Sequence, residues 1–330
     1  MDAFTKMQMG RGFLAGLMLL LLVTTPFGQD APIKIDTRLV SVPVIVSDRS
    51  GRYIPNLTAS DFTVLQDGVR QTIDFFAAVE EPLTVAILID TSQSTRPVLG
   101  NIKDSASSFI RHLSPQDRAM IVAFDYDIHG LSRLTSDQDE LRRAIKRAEI
   151  PDSMFRTRLR DAVFHVVNHS FADIKGRKAI IILTDGKDVG SRISGSDLLY
   201  SLQETDTLIY TIMFKTFERV PIRIPGIYGS IPAHVRKEIT RRNERLERLN
   251  SQAQSFLKDL SNVSAGRFFV SNDGRFKNTF QSIVEELRFQ YRLGFYPPDE
   301  KATDIYHSLK VRVSRPDSVV RSRSGYRTSK

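Results

Sequence analysis

Five oxygen-bearing side chains, spread over three separate stretches, carry the clearest chemistry in this sequence. Asp90, Ser92 and Ser94 alternate in Asp90-Thr91-Ser92-Gln93-Ser94, directly after the apolar run Thr84-Val-Ala-Ile-Leu-Ile89. Thr157 stands just before a helical pattern that opens near Leu159, and Asp185 closes a second apolar run, Arg177-Lys-Ala-Ile-Ile-Ile-Leu-Thr184, ahead of Gly186. Carboxylates and hydroxyls are hard donors, which suit Mg²⁺, Mn²⁺ or Ca²⁺, whereas zinc prefers His and Cys. One loop cannot fill a coordination shell, so the three stretches must meet. Three neutral hydroxyls and two carboxylates leave such a cation with residual positive charge and a position open to water. An Asp or Glu from another protein would replace that water.

Other chemistries find weaker support. His165 and His169 have a zinc-compatible spacing, but the intervening Val-Val-Asn lacks the Glu of a metalloprotease, so they read as a structural or surface pair. Asp188 reads as a loop or cap residue and Asp125 and Asp127 as neighbours on the same rim outside the ligand set, while Arg156 beside Thr157 either tunes the metal's charge or pairs with an acidic ligand, or is simply solvated. There is no Gly-x-Ser-x-Gly elbow and no Gly-x-x-x-x-Gly-Lys phosphate loop. An aspartyl-phosphate phosphatase would want a carboxylate at position 92, where Ser stands. The chain therefore reads as a non-enzyme. The runner-up is a metal-assisted phosphoester hydrolase, and a third reading is a structural envelope protein whose metal only steadies its loops.

The elements that must position these groups alternate regularly. Thr84–Asp90 and Arg177–Thr184 are apolar along their length, as strands buried on both faces are. Open α/β sheets hold ligands just beyond the carboxyl ends of such strands. Ile102, Ala106, Phe109, Ile110 and Leu113 line one helix face. Further strands are expected at Arg118–Phe124, Leu131–Leu134 (a short edge), Thr207–Phe214 and Gly266–Val270, with helices at 137–148, 159–171, 194–204 and 276–289. Strands interleaved with helices predict a doubly wound, mostly parallel sheet.

Asp-x-Ser-x-Ser at a strand tip, a Thr before a later helix and Asp-Gly after a later strand resemble the von Willebrand factor A-type domain. The resemblance implies a metal-ion-dependent adhesion site made of Asp90, Ser92, Ser94, Thr157 and Asp185, with hydroxyls binding the ion directly and the Asp residues directly or through water. It spans roughly residues 83–289. Relatives often carry Gly-rich residues before the Thr, where this chain has Phe155-Arg156.

Around that core, residues 31–82 and 290–330 are β-rich. Thr37–Ser47, Asp61–Leu65 and Gln71–Phe76 (expected as one returning strand) precede it, and Tyr291–Tyr296 and His307–Val313 follow it. Each set alone is too small for a core, so both termini should form one small antiparallel β-sandwich into which the α/β domain is inserted. These flanks, with Arg323-Ser-Gly-Tyr326, resemble those of secreted acidobacterial proteins that carry the A-type domain. Residues 215–245 exceed what that family needs. They hold Pro221, Pro225 and Pro232, then turn strongly charged, and from Val235 an apolar stripe keeps helical spacing. A long projecting helix is expected, either a partner-binding arm or a solvated helix packed on its own domain.

With 330 residues, 41% hydrophobic and 26% charged, the composition is that of a folded protein of about two domains by a prior of roughly 100–200 residues each. A net charge of +9 favours acidic partners, but the basic residues are scattered and no nucleic-acid motif accompanies them. Lys6 and Arg11 followed by the apolar run 13–23 look like a secretory signal within residues 1–30. An uncleaved membrane anchor is the alternative, because 24–31 offers no small-x-small cleavage site. The chain lacks cysteine, so neither a lipoprotein thiol anchor nor a disulfide enters the reading. The expectation is an exported or envelope-located binding module.

Overall fold

The computed structural model describes residues 39–78, 82–152, 156–214, 232–271, 277–298 and 305–328. The expected signal within residues 1–30, Phe155 and the proline-bearing stretch 215–231 lie outside the described residues. Among those described, no helix is long and apolar enough to cross a membrane.

The N-terminal strands are β1 (Val40–Asp48), β2 (Phe62–Gln66), β3 (Val69–Gln71) and β4 (Phe75–Ala78). Then come β5 (Leu83–Asp90), α1 (Leu99–Ile110), β6 (Arg118–Phe124), β7 (Ile128–Gly130), α2 (Gln138–Lys146), α3 (Leu159–His165) and β8 (Arg177–Thr184). The α/β part ends with α4 (Gly195–Leu202), β9 (Leu208–Phe214), α5 (Ala233–Val263), β10 (Phe268–Ser271) and α6 (Lys277–Arg288). The last strands are β11 (Tyr291–Phe295), β12 (Tyr306–Val313), β13 (Ser318–Ser322) and β14 (Gly325–Arg327).

The central sheet runs β10-β9-β8-β5-β6-β7, parallel throughout except for the antiparallel edge strand β7. All eight residues of β5 are buried, because helices cover both faces. Val85, Ile87 and Ile89 pack with Ile102, Phe109, Leu141, Ile145, Phe280 and Ile283 of α1, α2 and α6. Ala86 and Leu88 face Leu159, Val163, Leu198, Leu257 and Leu260 of α3, α4 and α5. A period of two thus sorts one apolar strand between two helical layers. The doubly wound reading is what the structure shows.

The two antiparallel sheets are β13-β1-β11-β4 and β14-β12-β2-β3, so strands from both ends of the chain interleave in each. Val40, Val42, Val44 and Val46 share their core with Phe62, Val64, Tyr291, Leu293, Leu309 and Val311. The opposite face of β1 supplies Ile45 to the α/β core.

Some local expectations are corrected. Gln71–Phe76 is not one strand: β3 pairs with β2 in one sheet and β4 with β11 in the other. Between them Asp74 marks the corner, its N–H donating to the Gly294 carbonyl at 2.9 Å and its carboxylate accepting from the Tyr296 N–H at 3.2 Å. The edge strand is Ile128–Gly130 rather than Leu131–Leu134, because the Ser132 hydroxyl takes the Ile121 N–H at 2.9 Å and interrupts the ladder, which returns only as a bridge of Thr135 to Ala119. The helix from Leu159 passes at Val166–Ser170 into a wider turn. Strands β13 and β14 had no counterpart in the sequence reading.

Candidate functional site

Strand β5 is the first of the central sheet, and the chain adds β6 on one side of it and β8 on the other. The winding reverses between β5 and β8, which opens a crevice past their carboxyl ends. Asp90 is the last residue of β5 and Thr184 the last of β8, with Ile89 in register with Leu183.

The Asp90 side chain is fully buried. Its Oδ1 accepts the Ser92 N–H at 2.9 Å and its Oδ2 the Thr184 hydroxyl at 2.6 Å. Burial pushes its pKa up to about 7, and the charge of Asp185 adds to the rise, against hydrogen bonds from Ser92 and Thr184 that oppose it. Two carboxylates therefore sit near enough to repel each other in a dry place. The Ser92 and Ser94 hydroxyls stand 3.1 Å apart, on a short helical turn held by Thr95 Oγ1 donating to the Ser92 carbonyl at 2.8 Å. Asp185 is buried too, and the Lys187 ammonium lies 2.6 Å from its Oδ2.

Thr157 belongs to the same cluster of loops. Its carbonyl accepts the Val189 N–H at 3.1 Å, from the loop that follows Asp185, and its side chain is buried. The next residue, Arg158, donates its N–H to the Asp125 carbonyl at 2.8 Å. Asp125 in turn receives the Thr91 hydroxyl at 3.0 Å, the Asp127 N–H at 3.0 Å and His129 Nε2 at 3.1 Å. An unbroken chain of bonds thus links the loops that carry Asp90, Thr157 and Asp185. Among the described residues, no contact of the Thr157 hydroxyl with the other four is shown.

Three neighbours escaped the sequence reading as working parts of the rim. Thr184 holds Asp90, Lys187 neutralises Asp185, and Asp125 joins the loops. The signal for Thr184 was its place directly before Asp185 on a strand tip; Lys187 and Asp125 gave none beyond proximity. Asp188 is the loop and cap residue expected of it. It accepts the Arg160 N–H at 2.8 Å and the Ser191 hydroxyl at 2.7 Å. His165 and His169 are both exposed, with ring centroids 5.1 Å apart.

The donor set fits a hard divalent cation on its own chemistry. Repulsion between Asp90 and Asp185 is what a bound cation would relieve, and the lysine ammonium already drawn to Asp185 shows the site's preference for positive charge. Among the described residues no three His, Cys, Asp or Glu side chains converge, so the set depends on its hydroxyls.

Residues 85–187 match the family model described as von Willebrand factor type A domain, an interval that spans every candidate ligand. The chain carries a von Willebrand factor type A domain. Solved structures similar to it include BatB from Bacteroides thetaiotaomicron, at 18% identity over 62% of this chain and 97% of that one, TM-score 0.46. A von Willebrand factor type A protein from Catenulispora acidiphila is similar at 10% identity over 82% and 73%, TM-score 0.47. Proximal thread matrix protein 1 of the mussel byssus, solved with a zinc-occupied MIDAS motif, is similar at 14% identity over 67% and 49%, TM-score 0.48. No curated protein sequence matches this chain.

Proposed function

We propose that this von Willebrand factor type A domain protein is an exported, metal-dependent binding module that captures an exposed Asp or Glu of a partner protein. One observation carries the reading: two buried carboxylates, Asp90 and Asp185, repel each other in the crevice between β5 and β8, beside the paired hydroxyls of Ser92 and Ser94. Asp90, Ser92, Ser94, Thr157 and Asp185 would hold the cation, Mg²⁺ first and Mn²⁺ or Ca²⁺ as alternatives. When bound, it supplies a positive centre with a position open to an outside carboxylate.

The protein's own residues prepare that centre. Thr184 and the Ser92 N–H fix both oxygens of Asp90, so the carboxylate cannot rotate away. Burial keeps competing water from screening the contact, which raises the worth of each charge-assisted bond. Lys187 is the counter-ion on Asp185 that a divalent cation would displace.

Thermal melting with and without EDTA tests the first half of this proposal. Saturating Mg²⁺ or Mn²⁺ at about a hundredfold its dissociation constant is expected to stabilise the protein by about 2.7 kcal/mol. The shift should vanish in Asp90→Ala and Ser92→Ala. Capture of the protein on an immobilised glutamate-rich peptide should then need the same ion. If no divalent cation moves the wild-type melting point, the reading is wrong.

A further inference from the structure

Helix α5 is 31 residues long, and only its C-terminal part belongs to the body of the molecule. Ala253, Phe256, Leu257 and Leu260 pack into the core beneath β8 and β9. A side chain at Gly186, just past β8, would lie 2.9 Å from the Ala253 Cβ, so position 253 stands level with the carboxyl edge of the sheet. Residues 233–252 extend beyond that edge, over about 30 Å at 1.5 Å per residue.

The stripe that packs the lower part continues along the projecting part. Val235, Ile239, Arg242, Leu246, Leu249, Ala253, Phe256 and Leu260 follow one another at alternating steps of four and three, the heptad spacing of a coiled-coil seam. Val235 is 37% exposed and Leu249 44%, and Ile239 and Leu246 are only partly covered. A seam over these residues has a second helix as its natural complement.

We infer that the projecting part of α5 pairs with the same segment of a second copy of this chain, as an antiparallel two-stranded coil. The heptad seam gives the occupant, a helix of the same spacing, and the flanking charges give the direction. A parallel pair would place Arg242 of one chain against Arg242 of the other and set Glu238 opposite Asn243. An antiparallel pair, in which seam positions alternate across the interface, places Val235 against Leu246 and Ile239 against Arg242 of the second copy. The flanking positions then bring Glu238 of each copy to Arg245 of the other, twice by symmetry. Glu238 and Arg245 are both exposed and have no ion pair within the described residues of their own chain. The same register ends the overlap at residue 249, short of the body contact at 253.

The seam holds few apolar layers, so the dimer should dissociate on dilution. Sedimentation velocity of the purified full chain over a concentration series is expected to show the mass doubling. Glu238→Arg and Arg245→Glu should each raise the apparent dissociation constant by about tenfold, and the double reversal should restore it. The protein has no native cysteine, which makes the register directly readable. Chains carrying Val235→Cys mixed with chains carrying Leu246→Cys should form a disulfide-linked heterodimer under mild oxidation, and neither alone should cross-link. All these positions lie outside the core, so the variants keep the fold. A chain that stays monomeric at every concentration, a double reversal that fails to restore pairing, or cross-linking of the Val235→Cys chain with itself would overturn the inference.

Discussion

Asp90 is a residue whose charge works against the fold that holds it. A carboxyl pushed upward by burial and by a second carboxylate is disfavoured in its ionised form whenever the pH exceeds its unfolded value. Without a cation, the protein at neutral pH therefore bears a cost at this position. Asp90→Asn removes the charge and keeps an acceptor for the Ser92 N–H, and the Thr184 hydroxyl can rotate to meet the new amide. The variant is expected to melt at or above the wild-type temperature in EDTA and to lose the response to Mg²⁺. Calorimetry in both buffers checks this; an EDTA melting point several degrees below wild type would mean that Asp90 is held for packing instead. Such an exchange of stability for binding is common where a site stores unlike needs. Lys187 belongs to the same balance, as the ammonium that partly offsets the second carboxylate.

At the level of elements, Gly186 shows how a loop and a helix are fitted together. Its φ of +78° lies in the left-handed region, and a Cβ there would meet Ala253 at 2.9 Å and Leu257 at 3.0 Å. Gly186→Ala should cost about 1–2 kcal/mol for the backbone alone, and more for displacing α5 where it leaves the body. Denaturant unfolding would show the loss, and a change within 0.5 kcal/mol of wild type would refute it. The Asp-Gly pair was visible in the sequence, but the reason for the glycine was not, because Ala253 is distant in the chain and meets it only in the fold. The same contrast runs through the molecule. Strands buried on both faces, such as β5 and β8, announce themselves as unbroken apolar runs. The corner at Asp74 and the polar strand β13 do not, since their strand character comes from pairing with β1 and β11 rather than from their own pattern. The five candidate ligands were legible as types and spacings. Thr184 and Asp125, which orient them, take their roles from bonds across the sheet edge, where sequence order gives no guide.

For the whole molecule, Arg323 of the Arg-x-Gly-Tyr motif ties the last strands to the α/β body. It is buried, donates to the Thr205 carbonyl at 3.3 Å and lies over the Tyr326 ring at 5.5 Å. Burial draws its pKa down to about 10, and the charge of Asp206 opposes the fall. Asp206 itself is raised by burial, but the Lys178 ammonium at 2.8 Å and the charge of Arg323 outweigh this and leave it lowered. Its contribution to stability is thus present above the unfolded carboxylate range and is lost as pH falls through the depressed folded value. Asp206→Asn should cost about 1–3 kcal/mol at neutral pH, by removing the partner of the mostly covered Lys178 ammonium and the negative charge beside buried Arg323. Its stability should also fall less steeply than the wild type's below about pH 4. Urea midpoints between neutral and acid pH would show both effects, and parallel acid limbs would discount the pair. The interleaving of β1 with β11 and β13 has a consequence for biosynthesis. A nascent chain released up to residue 290 has every strand of the parallel sheet but leaves the valine-rich edge of β1 without its neighbours, open to chaperones or to aggregation. Completion of the outer layers must wait for β11 to β14 to emerge, so the order of synthesis and the order of assembly run in opposite directions.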